Sequence, residues 1–326
     1  MAIPSTVFKA QATGNDFVMY HDPEGVWQPT DEETRWLCDR HFGVGADGLL
    51  RLTEPRYVSD LSAEQRKECA RGGATWFMDY RNADGSLAEM CGNGTRAITF
   101  MARRLGLTDA DGTLRLGTRA GVKIIRPNTD HPELGDDVFT VDMGTFLRGD
   151  LGGHRVTIPE VMGMGPGTYV DMGNPHIVVV VGDDRKIPDG HGEIGSDDER
   201  GNTLRALLRD TTLPDVPALD LSRKPVVEPA LPHGKNVEFV RISEYSTEED
   251  RGAATMRVHE RGVGETLSCG TGLCATAITL QALTGVRHWR ITVPGGLLQV
   301  DVDERTSRVW LTGPAHITGS MALEPR

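Results

Sequence analysis

An α+β fold of two homologous domains, each a curved, mostly antiparallel sheet around a central helix, is the architecture this sequence predicts. Three observations predict it. Strand patterns run in series and do not alternate regularly with helices, which argues against a parallel βαβ sheet. A Cys-Gly-x-Gly segment opens a helix pattern twice, at Cys91 and at Cys269. The elements around those two segments recur in the same order, a self-similarity that marks duplicated architecture. Two domains related by a pseudo-two-fold axis would place a site in the cleft between them, with residues 1–145 forming the first domain and 146–326 the second.

Taken along the chain, Thr30 with Glu33 makes a capping box that opens a helix over Asp31 to Arg40. Gly43, Gly45 and Gly48 then impose a turn. A strand reads over Ala74 to Tyr80, and Asn82 to Gly85 is a turn signal. After Cys91, Ala97, Ile98, Met101 and Leu105 share one helical face, and Gly106 ends the helix. Short strands flank Arg119-Ala-Gly121 as a hairpin, and another covers Val138 to Asp142. The second half repeats the order. A strand at Thr255 to His259 precedes Cys269, whose helix runs through Leu283 with Gly285 beyond it. Trp289 to Val293 and Leu297 to Val302 pair across Pro294-Gly-Gly296, and Arg308 to Leu311 follows. Met78 and Met256 stand equally far before Cys91 and Cys269. Between the halves, 182–235 is poor in pattern and reads as an irregular, solvated insertion with a short helix near Leu204 to Arg209.

Length and charge bound the function. A chain of 326 residues accommodates two domains at roughly 150 residues each. Its 47 acidic against 35 basic side chains repel phosphate backbones, which argues against nucleic acid as partner. The start lacks a basic head followed by an apolar stretch, and the richest apolar run, Ile177 to Val181, is far too short to span a bilayer. Five cysteines, an odd number in a chain too large to depend on disulfide staples, fit a reducing, cytoplasmic setting; the partner expected is a small-molecule substrate and not a membrane.

Each of Cys91 and Cys269 stands at a helix start. There the unpaired N–H groups of Gly92 and Asn93, or of Gly270 and Thr271, can receive a carboxylate, and glycine lets it approach closely. The same partial positive charge favours thiolate over thiol, by roughly 0.3–1 kcal/mol. Two such sites on one substrate would set one sulfur on each face of the carbon bearing the carboxylate. One thiolate then removes a proton, and the opposite thiol returns one. No cofactor is required, because the N–H donors stabilise charge building on the carboxylate. Other readings are weaker. Cys38, Cys69 and Cys274 read as small buried hydrophobes. A metal site has neither C-x-x-C nor clustered histidines to support it. The six lysines lie in no pyridoxal motif, and no G-x-G-x-x-G follows a strand.

Five blocks are together highly specific: GNDF (Gly14 to Phe17), FGVGADG (Phe42 to Gly48), NADGSLAEMCGNGTRA (Asn82 to Ala97), MGNPH (Met172 to His176) and HERGVGETLSCGTG (His259 to Gly272). Through them the chain resembles the diaminopimelate epimerases from Phe8 to about Pro314. The resemblance implies cofactor-free conversion of LL-diaminopimelate to the meso isomer, on the route to lysine and peptidoglycan, by a homodimer. It implies that Cys91 and Cys269 are the acid/base thiols and that His176 and Glu260 stand near them. It also implies that Asn15, Asn82, Asn174 and Asn236 grip the non-reacting end of the substrate with Glu260 and Arg261. A guanidinium fork matches a carboxylate, and a carboxylate answers an ammonium. On the residues alone, the alternatives are that Asn15 and Asn82 merely shape turns, that Glu260 with Arg261 is a surface pair, and that His176 is structural. Gly48 departs from the pattern, standing where many members carry a polar side chain. A proline racemase-like enzyme is the nearest rival. It shares the Cys-Gly-x-Gly blocks but resembles a pattern with histidine where this chain has Asn93, and it does not need HERGVGET.

Overall fold

The computed structural model describes residues 2–182, 199–232 and 234–324. They form two compact units, Met1–Asp142 with Thr312–Arg326, and Met143–Leu311. In chain order the first carries β1 (Thr6–Ala12), β2 (Asn15–Asp22), α1 (Asp31–Cys38), β3 (Gly48–Thr53), α2 (Ala63–Arg71) and β4 (Trp76–Asn82). It continues with α3 (Gly92–Arg104), β5 (Leu114–Thr118), β6 (Gly121–Pro127) and β7 (Val138–Thr145). The second carries β8 (Leu147–Arg148), β9 (His154–Thr157), β10 (Gly165–Asp171), β11 (Pro175–Val180), α4 (Glu199–Asp210) and β12 (Val226–Glu228). Then come β13 (Asn236–Ser246), β14 (Arg251–Glu260), β15 (Gly264–Thr266), α5 (Gly270–Thr284), β16 (His288–Val293), β17 (Gly296–Asp303) and β18 (Arg308–Pro314). Finally β19 (His316–Ala322) pairs antiparallel with β1 in the first unit.

The internal repeat is written in the strand pairing. In the first unit β1–β2 is antiparallel, β2–β3 parallel, β3–β4 antiparallel, β4–β5 parallel and β5–β6 antiparallel. The second unit runs through the same series with β10–β11, β11–β13, β13–β14, β14–β16 and β16–β17. Parallel neighbours need crossover connections, and helices occupy them at matching places. α1 and α4 lie in the first crossover of each unit, α3 and α5 in the second. The register also matches. Phe17 pairs with Gly48 and His176 with Asn236, so these two pairs hold equivalent places. Gly48 in turn faces Asn82, while Val237 faces His259, which sets Asn236 beside Glu260.

α3 and α5 are the central helices of their sheets. α3 packs against β1 through β6 and β19, and α5 against β10, β11, β13, β14, β16 and β17. Nearly every residue of α5 is buried, which its composition of Gly, Ala, Thr, Leu and Ile permits on all faces. Gly285 ends it in the left-handed conformation at φ 82°, the C-cap its position predicts. The capping box at Thr30 and Glu33 is present, and α1 stops at Cys38, short of the predicted Arg40.

Two expectations are revised. Thr312–Arg326 falls with the first unit, so the division is not the simple one at 145/146. The last strand belongs there because its partner is β1, at the opposite end of the chain. The stretch read as a solvated insertion over 182–235 is, where described, part of the core. α4 buries Leu204, Leu207 and Leu208. Val216, Leu219, Leu221 and Val227 cluster with Ile177, Val179, Val237 and Phe239. Prolines at 214, 217, 225, 229 and 232 break the periodicity that would announce this burial without preventing it. Residues 183–198, with most of the acidic run that ends at Arg200, lie outside the described residues. Among the described residues no helix is long and apolar enough to cross a membrane.

Candidate active site

Each unit carries one cysteine at the N-cap of its central helix. In the first, Cys91 caps α3 from an extended backbone, and the Gly94 N–H donates to its sulfur at 3.4 Å. The sulfur is half-buried and lies 3.5 Å from Asn15 Oδ1. That oxygen also accepts from Asn93 Nδ2 at 3.2 Å, and Asn93 Oδ1 accepts from Arg96 Nη2 at 2.9 Å. Asn15 Nδ2 completes the chain by donating to Asp47 Oδ2 at 2.8 Å. Every side-chain atom of Asn15 is thereby oriented, with its oxygen on the thiol. Asn82 stands apart from this chain: its amide donates to Ser86 Oγ at 2.9 Å across the turn that leads to Cys91. The half-buried Arg119 steadies the same turn through the Ala88 carbonyl at 3.4 Å and anchors on Asp60 and Asp79.

In the second unit Cys269 caps α5 and is 7% exposed. Its sulfur lies 3.6 Å from Thr271 Oγ1. Asn174 Nδ2 donates to the same hydroxyl at 3.3 Å, and Asn174 Oδ1 lies 3.1 Å from His176 Nε2. The other ring nitrogen, Nδ1, is 2.7 Å from Glu238 Oε1. His176 and Glu238 are fully buried. Glu260, at the end of β14, accepts from Thr266 Oγ1 at 2.5 Å. Asn236 takes no part in this cluster. Its Oδ1 accepts from the Arg261 backbone N–H at 2.8 Å, fixing the chain beneath the exposed guanidinium.

The helix-start argument predicts lowered thiol pKa values, and Cys269 departs from it. Burial, followed by the nearby carboxylates of Glu260 and Glu238, pushes the Cys269 thiol well above its ordinary value. A macrodipole worth under about 1 kcal/mol cannot offset removal from water beside two acids. Burial and the charge of Glu238 likewise raise the Glu260 carboxyl. Burial and mutual repulsion of negative charge therefore act in the same direction on Glu260 and Cys269.

The paired asparagines that the sequence singles out prove to be equivalent residues. Asn15 begins β2 two positions before Phe17, and Asn174 stands two positions before His176. Asn82 and Glu260 likewise end equivalent strands. Sequence reasoning missed Glu238, Asp47, Arg96 and Thr266. Glu238 had no legible signal: in Asn236-Val-Glu-Phe239 polar and apolar residues alternate, which reads as a solvent-facing acid, whereas the strand is buried on both faces. Gly48 also finds a reason. A Cβ there would lie 2.6 Å from the Tyr80 ring and 2.7 Å from the Arg81 carbonyl, so Tyr80 occupies the space a larger side chain would take.

Comparison with known proteins places these half-sites in context. The sequence model of a family described as diaminopimelate epimerase matches residues 7–147 and 208–318. A diaminopimelate epimerase of Rhodococcus jostii is 37% identical over 319 residues, covering 97% of this chain and 96% of that one. One from Rhodococcus opacus is 36% identical over 319 residues, with the same coverage. Among solved structures, a probable proline racemase of Agrobacterium radiobacter has a TM-score of 0.57 at 13% identity, covering 98% of this chain and 92% of its own. That likeness bears on the fold. The matched family segments leave out 148–207, which holds Asn174 and His176, whereas the two relatives align across nearly the whole chain.

Proposed function

Because the chain belongs to the diaminopimelate epimerase family, we propose that it interconverts LL- and meso-diaminopimelate without a cofactor, in the cytoplasm, using Cys91 and Cys269 as acid and base. The observation that carries this reading is the duplication. The same strand series carries twice, in its second crossover, a cysteine that caps the central helix, each with an oriented amide, Asn15 or Asn174, close by. One thiol takes the α-proton from one face, and the other delivers a proton to the opposite face. Backbone N–H groups at the two helix starts hold the carboxylate of the reacting end. Cys269, whose thiol burial and the nearby acids push well above its ordinary value, suits the donor role.

At the non-reacting end we assign Arg261 to the carboxylate and Glu260 to the ammonium, with Asn15, Asn82 and Asn174 completing the contacts. Asn236 acts through the Arg261 backbone.

Incubation of the purified protein with LL-diaminopimelate in D2O should produce the meso isomer with deuterium at one α-carbon. Exchange into proline, with none into diaminopimelate, would overturn the assignment in favour of the racemase reading. Arg261→Lys should raise KM for diaminopimelate about tenfold, since a lysine keeps the charge but loses the two-pronged contact. Steady-state kinetics unchanged from the parent protein would remove Arg261 from the site.

A further inference from the structure

We propose that Glu238 is a positioning residue for Cys269, setting the direction of a hydrogen-bond chain that runs through His176, Asn174 and Thr271 to the sulfur. The inference rests on the reading of Cys269 as an acid/base group. Its links are 2.7 Å from Glu238 Oε1 to His176 Nδ1, 3.1 Å from Nε2 to Asn174 Oδ1, 3.3 Å from Asn174 Nδ2 to Thr271 Oγ1, and 3.6 Å from that hydroxyl to Cys269 Sγ.

The repeat argues that this chain is not there for the fold. Phe17 holds the place of His176 in the strand register, and Leu50 holds that of Glu238. Leu50 lies against the place of a Gly94 Cβ, as Glu238 lies against that of Gly272. The same architecture is therefore filled by an apolar pair in one unit and by a fully buried acid and imidazole in the other. A buried ionisable pair adds little or nothing to stability over an apolar pair of similar volume. The second Glu238 oxygen has no hydrogen-bond partner, so His176 is the group that answers its charge.

The donors and acceptors then admit two arrangements. A carboxylate at Oε1 requires a proton on Nδ1 in both. When His176 is an imidazolium, Nε2–H donates to Asn174 Oδ1, Asn174 Nδ2 donates to Thr271, and the Thr271 hydroxyl donates to the sulfur, which favours thiolate. When His176 is neutral, bare Nε2 needs a donor. The Asn174 amide turns, Thr271 donates to its oxygen, and Cys269 keeps its proton, for which Thr271 and Glu260 are the acceptors in reach. Both arrangements hold the same number of protons, so imidazolium and thiolate appear together. Glu238 makes the coupling obligatory, because without it neutral His176 can carry its proton on Nε2 instead. The titratable groups acting on Cys269 are Glu260 from β14 and Glu238 from β13, and His176 from β11 acts in turn on Glu260. Burial and both carboxylates raise the thiol, and hydrogen bonds from Thr271 and from the Gly272 N–H oppose them, so losing the Thr271 donor makes the thiolate less accessible.

The test replaces the pair by the one that the first unit carries, His176→Phe with Glu238→Leu. Alkylation by iodoacetamide is followed across pH by peptide mass spectrometry for each cysteine separately. The pH midpoint for Cys269 should move up by about one unit, while that for Cys91 stays in place. If Glu238 acted only as a nearby negative charge, its removal would leave the Cys269 midpoint unchanged or lower it, and the proposal would fall. Should the double variant not fold, 15N spectra of histidine-labelled parent protein decide the question. His176 should be protonated on Nδ1 in both charge states, and the imidazolium fraction that accompanies the Cys269 thiolate should vanish when Cys269 is alkylated. A neutral Nε2–H form, or no response to alkylation, would overturn the proposal. Neither readout needs substrate, so a protein acting on a different amino acid would fail the diaminopimelate assay and still pass this one.

Discussion

Cys91→Ser and Cys269→Ser are each expected to lower kcat about 10²–10⁴-fold in both directions, and the double variant to lose little more. Serine keeps the shape of the side chain but has a far higher pKa, so it neither forms an anion nor releases a proton at the required rate. A two-base reaction run backwards uses the same two groups with exchanged roles. Disabling either one therefore blocks both directions, and the second substitution removes a group already without a partner. Epimerisation of LL- and meso-diaminopimelate, measured separately for the parent, both single variants and the double variant, gives the comparison. A single variant retaining a tenth or more of parental turnover would show that one thiol suffices. Losses that multiply in the double variant would show that the two act independently.

What the sequence made legible was whatever repeats or punctuates. Cys91 and Cys269 were found by their shared spacing from Met78 and Met256 and by the glycines behind them, and both are the N-caps of the central helices. Capping residues and glycines act over three or four positions, so Thr30, Glu33 and Gly285 could be read directly. Strands fared worse where their partners are remote. β19 belongs with β1, and nothing within seven residues of His316–Ala322 announces that pairing. The core contribution of 199–232 was hidden for a related reason, since its apolar residues are spaced by prolines and find their neighbours on β11 and β13. In the site, the resemblance named the residues, but their company came from register. Asn236 is named by the resemblance as a substrate ligand, and only the register shows that its Oδ1 also holds the Arg261 backbone. Glu238 was invisible because its meaning lies in what opposes it, a histidine two strand positions away on a parallel neighbour.

The two Gly-x-Gly segments, alike in sequence, are expected to respond unequally to alanine. At Gly94 a Cβ would meet Cys91 Cβ and the Leu50 methyls at 3.4 Å, a tight contact that small shifts of a leucine side chain relieve. Alanine is also the better helix former, by about 1 kcal/mol. Gly94→Ala should therefore fold at least as stably as the parent, with activity reduced no more than about tenfold through the crowding of Cys91. At Gly272 the Cβ would lie 2.6 Å from Glu238 Oε1 and 3.3 Å from Cys269 Cβ. That oxygen is the end of a side chain, yet it is buried and bound to His176 at 2.7 Å, so it cannot swing into water. Either the acid leaves its imidazole or the helix start retreats with Cys269. The first breaks a buried hydrogen bond and the second moves the reacting sulfur, where about 1 Å of displacement costs on the order of 10²-fold in rate. Overpacking adds about 1–3 kcal/mol of destabilisation. Gly272→Ala should accordingly lose about 10²-fold in kcat and melt earlier, with the larger part of the loss restored by Glu238→Leu only in stability and not in turnover. Thermal melts and kcat for both alanine variants, with and without that second change, decide it. Equal behaviour of the two alanines would mean that Glu238 is not clamped against the helix start, and that the halves of the repeat are as alike in packing as they are in sequence.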